Sequence, residues 1–338
     1  MSSEMEKIAI IGAGGWGTAL AIVLGRSRAP HRIALWAREQ DVLDSLRTER
    51  LNPAFLPGFT VPEEVEVTGE LREAVDGAEI VVGAMPSAHA RKLYAEMLPF
   101  FGRMTGFVSA TKGLESETLL RMTEVIEQVL TPKFWPRVAV ISGPSFALEV
   151  ARGDPTAIVA ASKDRMLATQ LQEQLSGPSL RVYTNDDVVG VELGGAIKNV
   201  IAIAAGVAEG LGLGHNTIAA LITRGLAEMT RLGTAFGARK ETLAGLAGMG
   251  DLVLTCTGEL SRNRSLGAEL GRGKKLEEIL SSTRTVAEGV GTTAAAHALA
   301  LRLGIEMPIT EQMYGVLYQG RSPQDAIREL MERPLKAE

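Results

Sequence analysis

The sequence predicts an α/β protein whose N-terminal half is a mostly parallel sheet and whose C-terminal half is all helical. Up to about Asp186, short continuous apolar runs alternate with amphipathic segments. This order is typical of parallel strands that are covered by helices on both faces. From Val188 onward the pattern is helical and rich in Ala, Gly and Leu. We therefore expect two domains, residues 1–188 and residues 189–338.

The elements of the first domain can be predicted in order from their apolar periodicity. Strands are predicted at residues 8–11, 33–36, 80–85, 106–111, 138–142, 157–161 and 180–183. Helices are predicted at residues 18–25, 40–47, 89–100 and 119–129. Most of the strands are apolar throughout, which indicates burial on both faces of the sheet.

A glycine-rich turn joins the first predicted strand to the first predicted helix. Its G-x-G-x-x-G glycines are Gly12, Gly14 and Gly17. The first allows a tight turn, the second lets a pyrophosphate approach the backbone, and the third lets the helix pack close to the strand. The N–H groups at the start of the helix then face the phosphates. This arrangement predicts a Rossmann-type dinucleotide-binding domain, and a tight turn without a ligand is the alternative.

The residue after the second predicted strand indicates which dinucleotide is bound. An NAD site usually has Asp or Glu here, about 20 residues beyond the glycine motif, to bind the ribose 2′-hydroxyl. This chain has Arg38 instead. A guanidinium can pair with a 2′-phosphate and stack on adenine. The sequence therefore favours NADPH, or use of both NADP and NAD; a solvated surface arginine is the alternative.

Composition and charge exclude several classes of protein. The 338 residues are 46% hydrophobic and 22% charged, as in soluble globular proteins, and the formal net charge is -5. This charge disfavours nucleic acid or an anionic membrane as a partner, and it means that an anionic substrate needs a local cluster of cations. The single cysteine, Cys256, fits a reducing compartment. With no signal peptide or membrane span recognised, we expect a cytoplasmic protein without membrane insertion.

Two polar blocks follow predicted strand ends, where an α/β sheet binds its ligands. Lys112 follows the strand that ends near Thr111, so it can meet an anion or a carbonyl oxygen. Gly143 and Ser145 follow the strand that ends at Ser142. Gly143 permits close approach of the backbone, and Ser145 can either bind a substrate hydroxyl or cap the next helix.

The second domain contains isolated polar residues in apolar surroundings. Lys198 and Asn199 lie within a helical run of small and apolar residues. Poor hydration there disfavours the ammonium form of Lys198 and lowers its expected pKa, which suits proton transfer. A lysine that extends to solvent from a helix edge is the alternative. Asp251, in a glycine-rich turn, can orient a lysine, bind a hydroxyl or cap a helix.

A dense group of hydrogen-bond donors lies at residues 261–264. Arg262 offers a planar fork for phosphate oxygens, and Ser261 and Asn263 add neutral donors. A phosphate site here would meet the need of an acidic protein for local cations. A solvated run of charges is the alternative.

Eight blocks along residues 7–320 together resemble one family. They are G-A-G-G-W-G-T-A-L-A, A-T-K-G-L-E, I-S-G-P-S-F-A, L-G-G-A-I-K-N-V-I-A-I, L-I-T-R-G-L-A-E-M, G-M-G-D-L-V-L-T-C, S-R-N-R and V-A-E-G, in this order. In order and spacing they resemble the bacterial-type, NAD(P)-dependent glycerol-3-phosphate dehydrogenases. The resemblance implies reversible hydride transfer from NAD(P)H to dihydroxyacetone phosphate, which gives sn-glycerol 3-phosphate for glycerophospholipid synthesis, without a metal.

The resemblance also implies roles for individual residues. Lys198 is the proton-transfer residue. The cofactor contacts are Gly12, Gly15, Trp16, Arg38, Lys112, Ala147, Arg262, Val286 and Glu288. The substrate contacts are Lys112, Gly143, Ser145, Lys198, Asp251, Ser261, Arg262 and Asn263. Phe55 aligns with a segment where some members have a tyrosine, so this chain has no hydroxyl there.

Two other functions remain open at this point. A β-hydroxyacid dehydrogenase of similar layout would share the dinucleotide turn, the helical domain and a Lys-Asn pair, but the S-R-N-R block favours a phosphate ester. A regulator that senses NAD(P) without turnover would not need Lys112, Lys198 and Asp251 together. The close-packed Ala/Gly helices lead us to expect a homodimer.

Overall fold

The computed structural model describes residues 6–26, 31–284 and 286–335. The chain divides into two compact units. The first contains Met1–Lys112 and Leu120–Val191, and the second contains Gly113–Leu119 and Glu192–Glu338. The segment directly after Lys112 thus belongs to the second unit, which no local pattern in the sequence indicated.

The first unit is built on a mostly parallel sheet of eight strands, as the sequence predicted. The strands of the described chain are β1 (Lys7–Ile11), β2 (Arg32–Trp36), β3 (Leu51–Asn52), β4 (Leu56–Thr60), β5 (Val65–Thr68), β6 (Ile80–Gly83), β7 (Gly106–Ser109), β8 (Arg137–Ser142), β9 (Thr156–Ser162) and β10 (Leu180–Asn185). The sheet order is β10-β9-β8-β7-β6-β1-β2-β5, and β3 and β4 form a separate antiparallel pair. Every neighbouring pair of the large sheet is parallel except β8 and β9.

Helices cover both faces of this sheet and bury two apolar layers. The helices are α1 (Gly15–Gly25), α2 (Gln40–Thr48), α3 (Leu71–Val75), α4 (Ser87–Met97), α5 (Met122–Leu130), α6 (Ala147–Arg152) and α7 (Arg165–Leu175). The helix predicted from residue 119 begins three residues later, because Leu119 has a φ of 63°, outside the right-handed helical region. None of the predicted ranges covers β3, β4, β5, α3, α6 or α7; β4 contains a Pro-Gly pair, which is more typical of a turn.

The second unit is all helical in its described residues, as expected. Its helices are α8 (Val188–Gly210, whose first turn is counted with the first unit), α9 (His215–Ala235), α10 (Lys240–Leu243), α11 (Asp251–Thr257), α12 (Arg262–Gly271), α13 (Leu276–Ser281), α14 (Glu288–Leu303), α15 (Pro308–Tyr318) and α16 (Pro323–Met331). A π-helical turn, Leu246–Gly250, precedes α11. Helix α8 is long and apolar enough to cross a membrane. However, 94% of its most apolar stretch of 18 residues is buried inside the fold.

Glycines bring α8 and α12 into backbone contact. A Cβ at Gly206 would overlap the carbonyl oxygen of Arg264, and a Cβ at Gly267 would overlap that of Ile203. A Cβ at Gly271 would lie 2.5 Å from the Val207 carbonyl oxygen. Larger side chains do not fit at these positions. The small residues therefore hold the start of α12, with its cluster of donors, directly against α8.

A buried carboxylate on α9 caps the start of α15. Glu228 is 1% exposed and accepts the Ile309 N–H at 2.5 Å, the Thr310 N–H at 3.1 Å and the Thr310 hydroxyl at 3.0 Å. Burial raises the pKa of Glu228 to about 7, although these hydrogen bonds and Arg231 act in the opposite direction.

We expect this glutamate to make folding stability depend on pH. A carboxyl group with a higher pKa in the folded than in the unfolded protein stabilises the fold at low pH, and the contribution declines as pH rises from 4.5 to about 7. The loss amounts to at most about 3 kcal/mol. Chemical denaturation at about pH 5 and about pH 8 should show a smaller decline for Glu228→Gln than for the parent. Identical pH dependence in both proteins would contradict this assignment.

Candidate active site

The glycine motif forms a sharp turn between β1 and α1. Gly12 has a φ of 119°, a conformation that favours glycine, and a Cβ there would lie 3.0 Å from the Ala84 carbonyl. A Cβ at Gly17 would overlap the Gly12 carbonyl oxygen, so this glycine lets the helix start close to the strand. At Gly14 a Cβ would meet nothing within 4 Å. The backbone therefore has open space beside the start of α1, where its first-turn N–H groups lie.

The surroundings of this turn fit a dinucleotide. Gly14 precedes α1 and has no side chain to cap its first N–H groups, which leaves them available to phosphate oxygens. Helix α6 packs beside α1, and a Cβ at Gly15 would lie 3.6 Å from the Ala147 Cβ and 2.9 Å from the Phe55 carbonyl oxygen. The Trp16 Nε1 is buried and has no acceptor among the described residues. These features form a cradle that a pyrophosphate can enter.

Arg38 lies at the same edge of the sheet. It follows β2 by two residues and is exposed to solvent. In the described part of the chain no carboxylate forms an ion pair with it. Its guanidinium is therefore available to an anionic ligand.

Lys112, Gly143 and Ser145 come together at the carboxyl ends of β7 and β8. The Lys112 Nζ donates to the Gly143 carbonyl oxygen at 2.9 Å and lies 3.5 Å from the Ser145 Oγ. The Ser145 hydroxyl donates to the same carbonyl at 2.9 Å. Gly143 has a φ of 139°, and a Cβ there would lie 3.0 Å from the Ile158 Cα. Because Phe146 occupies the N-cap position of α6, Ser145 does not cap that helix.

The second unit contains a buried ion pair. The Lys198 Nζ on α8 lies 2.6 Å from the Asp251 Oδ1, and these side chains are 6% and 1% exposed. The same Nζ donates to the Thr255 Oγ1 at 2.7 Å, and that hydroxyl donates to the Asp251 carbonyl at 2.6 Å. Lys198 is thus buried and does not extend to solvent, and the role of Asp251 that agrees with this contact is to orient the lysine.

Close backbone packing brings this pair together. A Cβ at Gly194 would lie 2.6 Å from the Ala247 carbonyl oxygen. Lys198 follows Gly194 by four residues on α8, and Asp251 follows Ala247 by four residues through the π-helical turn. Four residues make about one helical turn. The contact of Gly194 with Ala247 therefore places Lys198 and Asp251 opposite each other, one turn beyond that contact.

Thr255 was missed by the sequence analysis. Its only signal is its position four residues after Asp251 on α11, which places both on one face of that helix. The neighbouring Cys256 is buried, and burial raises the pKa of its thiol to about 12. Cys256 is therefore a packed side chain rather than a reactive one.

The donors of the S-R-N-R block have different partners. Ser261 caps α12 by accepting the Arg264 N–H at 3.2 Å. Arg264 forms a two-pronged ion pair with Glu209, at 2.8 Å and 3.0 Å. Arg262 is exposed, and its Nη1 donates to the Val286 carbonyl at 3.3 Å. Arg262 is therefore the arginine of this block that is available to a ligand.

Asn263 links α12 to two other segments of the second unit. Its Nδ2 donates to the Asn199 Oδ1 at 3.0 Å, and its Oδ1 accepts the Gly289 N–H at 2.9 Å. Glu288, the first residue of α14, directly precedes Gly289, and its carboxylate favours the charged form of Arg262. The structure thus brings Arg262 and Asn263 together with the segment that contains Val286 and Glu288.

The sheet, the glycine turn and the buried lysine pair define a class of protein. A glycine-rich turn of this kind at the carboxyl edge of a mostly parallel sheet is typical of a dinucleotide-binding protein, and a buried, positioned lysine suits proton transfer, as a dehydrogenase that uses a nicotinamide dinucleotide requires. Family models for the N-terminus and C-terminus of NAD-dependent glycerol-3-phosphate dehydrogenase match residues 7–168 and 187–328. The chain belongs to the NAD-dependent glycerol-3-phosphate dehydrogenase family, whose members are oxidoreductases that use NAD or NADP.

Individual relatives match over nearly their whole length. The glycerol-3-phosphate dehydrogenase [NAD(P)+] of Koribacter versatilis is 62% identical over 335 residues, which are 99% of each chain. That of Citrifermentans bemidjiense is 54% identical over 333 residues, 98% of this chain and 99% of the relative. The crystal structure of glycerol-3-phosphate dehydrogenase from Coxiella burnetii is 43% identical, with a TM-score of 0.93, and the match covers 97% of this chain and 99% of that one.

Proposed function

We propose that the protein reduces dihydroxyacetone phosphate to sn-glycerol 3-phosphate, reversibly, and that Lys198 transfers the proton. Membership of an NAD(P)-dependent glycerol-3-phosphate dehydrogenase family supports the reaction. The observation that carries the assignment of the proton donor is the buried contact of Lys198 with Asp251 and Thr255. The second unit adds an arginine that is available to a phosphate.

The first unit would hold the cofactor. The N–H groups at the start of α1, with Gly12, Gly15 and Trp16, would bind the pyrophosphate, and Ala147 would line the same cradle. When bound, the nicotinamide supplies the hydride that adds to the keto carbon of the substrate. Lys112, with its Nζ at the carboxyl end of β7, would stabilise negative charge on the substrate oxygen. Gly143 and Ser145 would contact the substrate beside it.

The second unit would supply the proton. As hydride adds, negative charge develops on the carbonyl oxygen, and the Lys198 ammonium gives that oxygen a proton. In the reverse direction the amine accepts the proton of the alcohol. Asp251 and Thr255 hold the Nζ in one place through contacts of 2.6 Å and 2.7 Å, so little reorganisation is needed during the reaction.

The start of α12 would bind the substrate phosphate. Arg262 supplies the charge, and the hydroxyl of Ser261 and the amide of Asn263 supply neutral donors. Val286 and Glu288, beside Arg262, would contact the cofactor. Since Asn263 also holds the start of α14, we propose that its second role is to keep this segment in register with the phosphate site.

The reaction can be tested by its product and stoichiometry. Incubation of the purified protein with dihydroxyacetone phosphate and NADPH should yield one sn-glycerol 3-phosphate for each NADPH oxidised. A stereospecific assay for sn-glycerol 3-phosphate distinguishes this product from its enantiomer. Oxidation of NADPH without this product, or binding of NADPH without oxidation, would contradict the proposal.

We further propose that NADPH is used at least as well as NADH, because Arg38 is available to the 2′-phosphate. Arg38→Asp should lower kcat/KM for NADPH by about 10- to 100-fold, since a charge-assisted hydrogen bond is replaced by repulsion. The value for NADH should change far less. Arg103→Asp, the same change at an exposed arginine before β7, should leave both cofactors unaffected. Equal losses with the two cofactors would show that Arg38 does not discriminate between them.

We also propose a homodimer that acts in the cytoplasm. The proposal of a dimer rests on the Ala- and Gly-rich composition of the second unit, and the single buried cysteine suits a reducing compartment. Light scattering should give twice the chain mass of 35.9 kDa. A mass equal to one chain would contradict the dimer.

A further inference from the structure

The amino edge of the sheet in the first unit carries three large apolar side chains that are almost fully exposed. Met104 is 75% exposed, Trp135 is 86% exposed and Met166 is 78% exposed. A single exposed apolar side chain is normal on a protein surface. Several large exposed apolar side chains on the same part of the surface indicate an interaction site.

The strand register places these three side chains at the same edge. Met104 precedes β7 by two residues and Trp135 precedes β8 by two residues, and the first residues of these strands pair with each other. Met166 lies in the first turn of α7, where the next residue, Leu167, packs on the start of β7: a Cβ at Gly106 would lie 2.8 Å from its Cδ1. This is the end of the sheet opposite to the carboxyl ends that carry the glycine turn and Lys112.

Four exposed cations lie within three residues of these side chains in the chain: Arg103, Lys133, Lys163 and Arg165. We call them, with Met104, Trp135 and Met166, the amino-edge patch. The Lys133 Nζ donates to the backbone carbonyls of Leu98 and Pro99, which leaves its charge uncompensated. In the described part of the chain no carboxylate forms an ion pair with the other three cations.

Acidic groups near the patch are few or already paired. Asp164, between Lys163 and Arg165, lies 2.7 Å from the Arg137 Nε and also caps α7. Asp76 and Glu79 are exposed before β6, one strand further along the sheet, and Glu127 lies on the last turns of α5, so three carboxylates besides Asp164 face four cations. The patch is therefore locally cationic in a chain whose formal net charge is -5.

This combination of side chains suits a lipid surface better than a protein or a nucleic acid. Tryptophan is enriched at the headgroup level of bilayers, and clusters of about four or more Lys and Arg bind anionic lipids. Lysine is depleted in protein–protein interfaces, and single strands of nucleic acid need several stacking aromatics, whereas this patch has one. We propose that the amino-edge patch docks the protein reversibly on an anionic bilayer surface, with Trp135 in the headgroup region.

The net negative charge of the whole chain does not exclude such docking. The field at a surface falls off within about 10 Å at moderate ionic strength, so the local cations determine the interaction with a bilayer in contact with them. Each contributes about a fivefold increase in binding. The family's role in phospholipid biosynthesis agrees with a position at the membrane.

Co-sedimentation with vesicles tests the charges of the patch. The full-length protein should bind vesicles of phosphatidylglycerol and phosphatidylcholine in equal amounts more tightly than vesicles of phosphatidylcholine alone, and added salt should weaken the binding. Lys163→Glu combined with Arg165→Glu should weaken it by at least about tenfold. The control is Lys240→Glu combined with Lys275→Glu, at the starts of two helices in the second unit. It changes the net charge by the same amount as the patch variant, and it should have little effect on vesicle binding.

Fluorescence tests the position of Trp135. The emission of the parent should shift to the blue with the anionic vesicles, and brominated lipids should quench it, whereas Trp135→Ser should lose both effects. Reduction of dihydroxyacetone phosphate in solution should be unchanged in all these variants, which shows that they fold. Absence of binding to anionic vesicles would overturn the proposal. Equal weakening by the two double variants, or unaltered binding of Trp135→Ser and the patch variant, would also overturn it.

Discussion

Replacing Lys198 by methionine is expected to lower kcat for dihydroxyacetone phosphate by about 10²-fold or more, the range of general acid–base catalysis. The side chain that donates the proton is lost, while the cofactor cradle belongs to the first unit and is untouched. Stopped-flow measurement of NADPH oxidation gives the rate, and fluorescence titration gives the affinity for NADPH. The affinity should stay within a few-fold of the parent.

The buried partner of Lys198 makes a second variant necessary. Without the ammonium, the Asp251 carboxylate stays buried, 1% exposed, and has lost the cation that contacts it, which costs about 3–5 kcal/mol of folding stability. Lys198→Met combined with Asp251→Asn removes the unpaired charge, so it should recover most of the lost stability but none of the lost kcat. A double variant whose kcat is close to that of the parent would remove Lys198 from the mechanism.

Replacing Arg262 by alanine is expected to raise KM for dihydroxyacetone phosphate by about 10- to 100-fold and to lower kcat as well. The substitution removes a charge-assisted contact to a dianion and the positioning that depends on it. Dihydroxyacetone, which lacks the phosphate, should be a poor substrate for the parent and should be affected little by the change. KM for NADPH must be measured in the same series, because Val286 lies beside Arg262.

The chain offers a matched control two residues away. Arg264 belongs to the same block but is bound by Glu209 in a two-pronged ion pair. Arg264→Ala should therefore lower the free energy of unfolding more than Arg262→Ala does, and it should raise KM less. If Arg262→Ala reduced activity with both substrates in equal proportion, a phosphate role for Arg262 would be wrong.

Features that depend on local sequence could be predicted. The dinucleotide turn is one of these, because its glycines act on neighbouring backbone within one strand–turn–helix unit. Seven of the eight strands of the large sheet, all except β5, were found at the predicted places, although two end earlier than expected, at Gly83 and Ser109. The residues that follow those ends include Lys112, which we propose as a ligand contact, so apolar periodicity overestimated the strands at the edge of the sheet where the proposed site lies.

Features that depend on distant contacts could not be predicted in full. Nothing near Thr255 indicates that it accepts a hydrogen bond from a lysine 57 residues earlier, since this follows from the packing of Gly194 on Ala247. Likewise, Arg262 and Arg264 look equivalent in the sequence. Only the position of Glu209, at the end of α8, distinguishes an arginine held by the fold from one that is available to a ligand.

Substrate discrimination tests the central claim most directly. Initial rates of NADPH oxidation, followed by the near-ultraviolet absorbance of reduced nicotinamide, can be compared for dihydroxyacetone phosphate, dihydroxyacetone and short oxo acids. The site described above predicts rapid oxidation with dihydroxyacetone phosphate and slow oxidation with the others, because the phosphate is needed to position the carbonyl. Oxo acids that react as fast as dihydroxyacetone phosphate, or binding of NADPH with no oxidation, would contradict the account.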